Sequence, residues 1–307
     1  MELSLFDLHC DTAYEMHRTQ QPLTRNSLAI SLENARKFKR YVQVMAIWTD
    51  HRLNDEEGWK AYLDILNHLK NDAALPENRA VLQSSFTDCE KPTLLLSVED
   101  ARILGGKLER VDRLWADGVR FLIPFWKGVN CLGGAHDTAQ GLTDFGKAAL
   151  TRALELGMVL DISHASENSA QSMFELAEAR SRPVIASHSN AYDICPVSRN
   201  LRKEQIASIL KSGGVIGINL YPPFLCKNPV ATTEAVIPHI EYFLEQGAAD
   251  ALCIGGDMDG ATLPRDIPNL AALPVLAELM LQHNYSEELI RKLFFDNAFG
   301  FAKRHLR

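Results

Sequence analysis

Apolar residues in this chain fall in short, nearly unbroken runs, and between the runs the spacing changes to that of amphipathic helices. The runs predict strands at 3–9, 41–48, 93–99, 119–124, 158–164, 183–188, 215–221 and 252–257. Unbroken rather than alternating apolar character is what parallel strands covered on both faces require. Helical spacing occupies 55–71, 144–156, 167–179, 203–211, 234–246 and 286–295, and a short helix-like stretch lies at 31–38. Thr143 and Asp144 stand where a helix cap is wanted. Strands alternating with helices in this way predict an α/β fold, a (β/α)8 TIM barrel, with residues 1–307 forming one domain. No repeat beyond that rhythm, no low-complexity tract and no Pro/Ser linker divides the chain. The connection at 125–143 is long and carries Gly128, Gly133, Gly134 and Gly141. It follows the fourth strand at its carboxyl end, where barrel enzymes place substrate loops.

The polar residues with chemical potential are not scattered over this pattern. His9 and Asp11, then Glu99, His164, His188 and Asp257, each stand at or just beyond the end of a predicted strand. A parallel barrel gathers the carboxyl ends of sequence-distant strands into one pocket. Two histidines with an Asp and a Glu in such a pocket suggest divalent zinc, with enough ligands for two ions.

Taken singly, each residue also has an ordinary reading. His9-Cys10-Asp11 on an extended strand puts His9 and Asp11 on one face and Cys10 on the other, but a polar strand end looks the same. Glu99 closes the run 94–98, where a buried carboxylate is costly unless paired or metal-bound, yet it also suits a helix N-terminus. His164 and His188 both follow a strand-Ser turn, and a lone His there is usually a satisfied hydrogen-bonding residue. Asp161 is either a partner behind the ligands or a buried, hydrogen-bonded acid. Asp257 follows Gly255-Gly256 and precedes Asp259 by two, which a plain Asp-rich turn would also do. It is the joint placement that points to a metal-dependent hydrolase.

Composition narrows the partners. The formal net charge of −7 gives no electrostatic footprint for nucleic acid and no basic cluster for an anionic membrane. The N-terminus enters a strand directly and shows no signal-peptide pattern, and no apolar run reaches transmembrane length, so the cytoplasm is the expected location. Cys10, Cys89, Cys131, Cys195, Cys226 and Cys253 include no Cys-x-x-Cys pair and read as reduced thiols.

The chain resembles the membrane dipeptidase (renal dipeptidase) family of zinc peptidases, within the amidohydrolase-like metal barrels, as a bacterial cytoplasmic-type member. The likeness rests on Asp7-Leu8-His9-Cys10-Asp11, Ser97-Val98-Glu99, Gly118-Val119-Arg120, Gly141-Leu142-Thr143-Asp144-Phe145-Gly146, Asp161-Ile162-Ser163-His164, Ala186-Ser187-His188-Ser189, Arg199-Asn200-Leu201 and Gly255-Gly256-Asp257-Met258-Asp259-Gly260. The resemblance implies that His9 and Asp11 hold one zinc, that His164 and His188 hold a second, and that Glu99 and a water or hydroxide bridge the two. It implies Asp257 as the acid–base carboxylate and Arg199 as the grip on the dipeptide's C-terminal carboxylate. A planar bidentate donor suits that grip, although Arg199 alone reads as a surface cation before a helix. Tyr221 lines the same subsite or the core.

One departure stands out. Mammalian members carry a substrate-facing His after the fourth strand, and by the Gly118-Val119-Arg120 anchor that position here is Trp126, followed by Asn130. Indole donates one hydrogen bond and performs no proton chemistry. The expected activity is hydrolysis of free dipeptides, including those with a C-terminal D-residue. The alternatives are another amidohydrolase-type reaction, on a lactone or an N-acyl amino acid, and a degenerate barrel that only binds. A homodimer is compatible with this reading.

Overall fold

Parallel pairing links β1 (Leu5–Cys10), β2 (Tyr41–Trp48), β3 (Thr93–Glu99), β4 (Val119–Ile123), β5 (Val159–Asp161), β6 (Val184–Ile185), β7 (Ile216–Ile218) and β8 (Leu252–Ile254) in the order β7-β8-β1-β2-β3-β4-β5-β6. The ring closes through an Ala186–Ile216 bridge, in which Gly217 N donates to Ala186 O at 2.8 Å and Ala186 N to Val215 O at 3.1 Å. This computed structural model describes residues 2–76, 78, 80–228 and 231–306, so both ends of the expected span, 1 and 307, lie outside the described residues. Helices surround the ring, and the architecture is the (β/α)8 barrel. No described helix is long and apolar enough to cross a membrane.

Two apolar clusters follow from the period-2 alternation of strand side chains. One contains Leu94, Leu96 and Val98 of β3, with Leu160, Val184, Ile216 and Ile254, packed beneath the helices. The other takes Val42, Leu95, Phe121, Val159, Ile185, Val215 and Cys253 from around the ring, together with Phe295, Phe301 and Leu306 of the C-terminal segment. The second cluster is the barrel interior, plugged at its amino end by α9 (Asn297–His305). Moving along β3, β5, β6, β7 and β8 toward their carboxyl ends, the inward positions turn polar or small. Ser97 and Glu99 follow Leu95, Asp161 follows Val159, Ser187 follows Ile185, Gly217 follows Val215 and Gly255 follows Cys253. The apolar plug therefore sits under a polar floor.

Four strands stop well before the ends of their predicted apolar runs, at Asp161, Ile185, Ile218 and Ile254. Side chains take over there from the ladder. Asp161 Oδ1 accepts from Ser163 N at 2.9 Å and Ser187 N at 3.1 Å. Asn190 Oδ1 accepts from Asn219 N at 3.1 Å, and Asp7 Oδ1 from Gly256 N at 3.0 Å. The backbone amides remain satisfied while the chain is freed to turn inward.

The helices are α1 (Thr12–Thr19), α2 (Asp55–Ala73), α3 (Glu109–Asp117), α4 (Asp144–Leu156), α5 (Glu167–Glu178), α6 (Lys203–Lys211), α7 (Ile237–Glu245), α8 (Pro274–Gln282) and α9, with shorter turns between. Thr143 caps α4 by accepting from Gly146 N. The apolar pattern predicts neither α1, α3 nor α8. None of the three has a side-chain cap at its N-terminus, so the start signal is missing. The helix predicted at 286–295 is Glu287–Arg291, continued by a π turn, Lys292–Asp296, into α9. That at 234–246 begins as a 3₁₀ turn, Thr233–Val236, before α7.

Candidate active site

The five expected ligands converge although they come from strands spread around the ring. His9 Nε2 lies 3.4 Å from Asp11 Oδ2, 3.7 Å from Glu99 Oε2 and 3.9 Å from Asp257 Oδ1. The other Glu99 oxygen, Oε1, is 3.0 Å from His164 Nε2 and 3.3 Å from His188 Nε2. Glu99 thus turns one oxygen toward each half of the cluster. Cys10 points away, into the core against Met45, and a register shift between Asp7 and Cys10 separates it from Phe6 and Leu8, which face the barrel interior.

Backbone detail explains how two of these side chains reach the centre. A Cβ on Gly217 or on Gly255 would stand 1.8 Å from Ser187 O, so only glycine at both positions lets the Ser187 carbonyl press between β7 and β8. The next residue, His188, is thereby carried inward. His164 itself adopts φ 68° and Asp257 φ 56°, the left-handed region that is strained for side-chain-bearing residues. Such strain clusters at functional sites, where surrounding contacts hold it in place.

The donor set fits a metal. His164 Nδ1 meets Trp126 O at 2.9 Å, which must be an N–H donation because a carbonyl only accepts; Nε2 is left as a lone pair facing Glu99. His188 Nδ1 is engaged by Ser187 Oγ at 2.8 Å, and its Nε2 also faces inward. His9 Nε2, Asp11 Oδ1 and Glu99 Oε1 are buried and make no hydrogen bond among the described residues. Lone pairs aimed at one another in a dry pocket are costly unless a cation lies among them. Ligand atoms of His9, Glu99 and His188, and of His9, Asp11 and Asp257, form two groups compact enough to hold an ion.

Electrostatics tell the same story. Burial pushes Glu99 well above the usual carboxylate range, and Asp11 and Asp257 add to it against the pull of His9. Burial raises Asp257 to about 6. Burial opposes a charge on His9, but Glu99, Asp11 and Asp257 outweigh it and push this imidazole up to about 10. His164 and His188 are held well below the ordinary imidazole value, by burial first and then by neighbouring cations that include Arg199.

Asp257 is gripped from behind. Its Oδ2 accepts from Asn219 Nδ2 at 2.9 Å and its N donates to His9 O at 3.1 Å. Asn219 also accepts from Tyr221 N at 2.6 Å. Arg199 is 4% exposed, donates from Nη2 to His188 O at 3.1 Å and from Nη1 to Ser189 Oγ at 3.4 Å, and leaves Nε unsatisfied. Among the described residues no carboxylate lies within ion-pair distance of it. Buried His239 steadies this region by accepting from Ala191 N at 3.1 Å and donating to Leu225 O at 2.9 Å.

A cavity of about 340 Å³ opens over the cluster. Asp11, Glu99, His164 and Asp257 form its floor, and Arg199, Trp126 and Tyr221 stand on its walls. Trp126 packs edge-on against Trp48, with ring centroids 5.3 Å apart. Asn130, expected as a substrate contact, is placed elsewhere. Asn130 does not line this cavity. Its amide donates to Asp100 Oδ1 and Pro124 O and accepts from Leu132 N, so it ties the loop to the ends of β3 and β4. Asp259 is likewise spent on Thr12, Ala29 and Ile30. Sequence reasoning missed Asn219, His136, Lys127 and Phe224. Asn219 ends a strand run and His136 lies in the glycine-rich loop, so position could have flagged both. Neither carries the metal-ligand spacing that drew notice elsewhere.

A parallel barrel whose strand ends bring three histidines and three carboxylates together over a small cavity defines a metal-dependent hydrolase. The chain belongs to the membrane dipeptidase family, peptidase family M19, whose model matches residues 1–304. It is a metallo-dipeptidase by that membership. Among curated proteins it is similar to an uncharacterised protein of the pqqA 5′ region of Klebsiella pneumoniae, 31% identical over 219 residues, which cover 66% of this chain and 79% of that one. Its fold is similar to a metallopeptidase from Rhodobacter sphaeroides solved with a phosphinate mimic of the dipeptide L-Ala-D-Ala, with a TM-score of 0.91 and 24% identity over 99% of this chain and 100% of that one. It is also similar to the dipeptidase AC of family M19, at a TM-score of 0.92 and 24% identity, covering 100% of this chain and 99% of that one.

Proposed function

We propose that this metallo-dipeptidase works with two zinc ions, held by His9 and Asp11 on one side and by His164 and His188 on the other, with Glu99 shared between them. The opposed directions of the two Glu99 oxygens, 3.7 Å from His9 Nε2 and 3.0 Å from His164 Nε2, support the sharing. Bound there, zinc supplies Lewis-acid polarisation of the scissile carbonyl and lowers the pKa of water.

The chain's own residues supply the rest. Arg199 binds the free C-terminal carboxylate of the dipeptide and sets its depth in the cavity. Asp257, oriented by Asn219, takes the proton from the attacking water and returns it to the leaving amine nitrogen. Trp126 and Tyr221 shape the cavity walls and offer apolar area with one donor each. A further peptide residue would replace the carboxylate that Arg199 needs, so longer peptides are poor substrates.

The observation that carries this reading is a buried guanidinium with no carboxylate within ion-pair distance among the described residues, on the wall of the cavity that holds the convergent ligands. Such a cation is satisfied when an anionic substrate arrives. The cavity, about 340 Å³, is at the lower end of the range for small-molecule sites, about 300–1,000 Å³, as a dipeptide wants. The dipeptide mimic bound by the Rhodobacter enzyme has a C-terminal D-residue, and we extend acceptance of that configuration to this chain.

The test is to purify the protein without chelator, count its metal, and assay L-L and L-D dipeptides beside tripeptides, lactones and N-acyl amino acids. About two zinc ions per chain and turnover confined to free dipeptides are expected. Activity indifferent to chelators, or a preference for lactones or N-acyl amino acids, would overturn the proposal.

A further inference from the structure

A second cavity, of about 300 Å³, adjoins the catalytic one. Thr138, Tyr192, Ser198, Asn200 and Arg202 are on its wall. Neighbours in the chain divide between the two spaces: Ser198 faces the second and Arg199 the first, Ala165 the second and His164 the first. Among the described residues, His136 alone lines both. His136 stands where the two cavities meet.

That ring is held in place. Its Nδ1 lies 2.8 Å from Ser198 Oγ, and its backbone N donates to His164 O at 2.7 Å. The ring meets the His164 ring edge-on, with centroids 5.9 Å apart. Its Nε2 makes no hydrogen bond among the described residues. The Ser198 hydroxyl, by donating to Nδ1, would leave the proton on Nε2.

We propose that His136, anchored by Ser198, is the specificity-determining wall that limits the size of the substrate's C-terminal residue. The inference rests on the dipeptidase reading with Arg199 on the carboxylate. The side chain of that residue leaves a carbon one bond from the carboxylate, so it must project close to Arg199. Ser198 is the residue before Arg199, and His136 is fastened to it. A small C-terminal side chain fits on the catalytic side of the imidazole. A long one meets the ring, although space and polar partners, the Arg202–Glu167 ion pair among them, lie directly behind it. Removing the imidazole joins the two cavities and gives that side chain a place to go.

The experiment compares kcat/KM for Ala-Ala with that for Ala-Phe and Ala-Arg in the zinc-loaded wild-type enzyme, His136→Ala and Ser198→Ala, with metal content and Tm recorded for each. His136→Ala should raise the ratio of large to small C-terminal residue at least tenfold. Ser198→Ala, which unfastens the ring without deleting it, should move the ratio in the same direction by less. His136→Phe, which keeps a wall, should leave the ratio near the wild-type value. If His136→Ala does not fold, His136→Asn carries the same comparison with a shorter polar side chain. A ratio within twofold of wild type in the opened variants, with Ala-Ala still hydrolysed, overturns the inference alone. A wild-type enzyme that hydrolyses no dipeptide overturns the proposed function and this inference with it.

Discussion

Replacing Arg199 with methionine removes a cation from a nearly closed wall while keeping most of the side chain's length and apolar stem. Two losses result, and they separate cleanly. The donations from Nη2 to His188 O and from Nη1 to Ser189 Oγ disappear for every substrate alike. The pairing with a C-terminal carboxylate disappears only for substrates that have one. The magnitude depends on burial. An exposed ion pair is worth about 0.2–1 kcal/mol, whereas truncating one partner of a desolvated pair costs about 2–5 kcal/mol. Arg199 is 4% exposed, which puts it in the second class. That range corresponds to a factor of roughly 30 to 4,000. The assay is kcat/KM for Ala-Ala and for Ala-Ala amide, in wild type and Arg199→Met, both with full metal content. The acid-to-amide ratio should fall by about two orders of magnitude in the variant, at the middle of that range. Equal losses on acid and amide would refute the reasoning and leave Arg199 a structural tie between the His188 and Ser189 segments.

Asp257→Asn should retain both metals yet lose kcat by about 10²–10⁴-fold, and near-normal turnover in metal-replete protein would remove Asp257 from proton transfer. Gly255→Ala forces a Cβ to within 1.8 Å of Ser187 O, so that carbonyl and His188 must shift. Denaturation should show a loss of about 1–3 kcal/mol, with weaker zinc retention on dialysis, and an unchanged Tm and zinc content would contradict the packing described. Burial holds His239 down to about 4, against an ordinary value of 6.5. Between those values the unfolded chain binds the proton and the folded one does not, so stability falls as pH drops from 6.5 toward 4, by up to roughly 3 kcal/mol. His239→Gln can keep both hydrogen bonds without titrating, and its urea-unfolding free energy should be flatter over that interval; parallel pH profiles would count against the assignment.

Most of the barrel was legible along the chain because its signals are short in range. Residues 93–99 read as a buried strand from their own composition, and the structure has β3 over Thr93–Glu99. Thr143 read as a cap and is one. Signals failed where the local chemistry was silent: α1, α3 and α8 start without a capping side chain, and beyond the ends of β5 to β8 the side chains of Asp161, Asn190 and Asp7 take over from the ladder. The family was legible too, because its motifs sit at those strand ends and keep their order. Asn130 shows the limit of reading by motif. Its place a turn after Trp126 suggested substrate, whereas in the structure its amide ties the loop to Asp100 and Pro124 at the ends of two strands.

By itself the sequence determined which residues stand at the carboxyl ends of eight parallel strands, since strand formation, burial and chain direction depend on neighbours a few positions apart. Only the tertiary structure decided what those residues meet. Glu99 divides its oxygens between His9 and the His164–His188 pair because β3 stands between β2 and β4 while its partners come from β1, β5 and β6. His188 reaches the centre because two glycines on other strands leave room for one carbonyl. Arg199 is a buried cation rather than a surface one because the loop that carries it is tied to Asn219, and His136 is a wall because it meets Ser198 from 62 residues away. Contacts between distant segments are made by closing the ring, and no local pattern of apolar and polar positions encodes the distance across it.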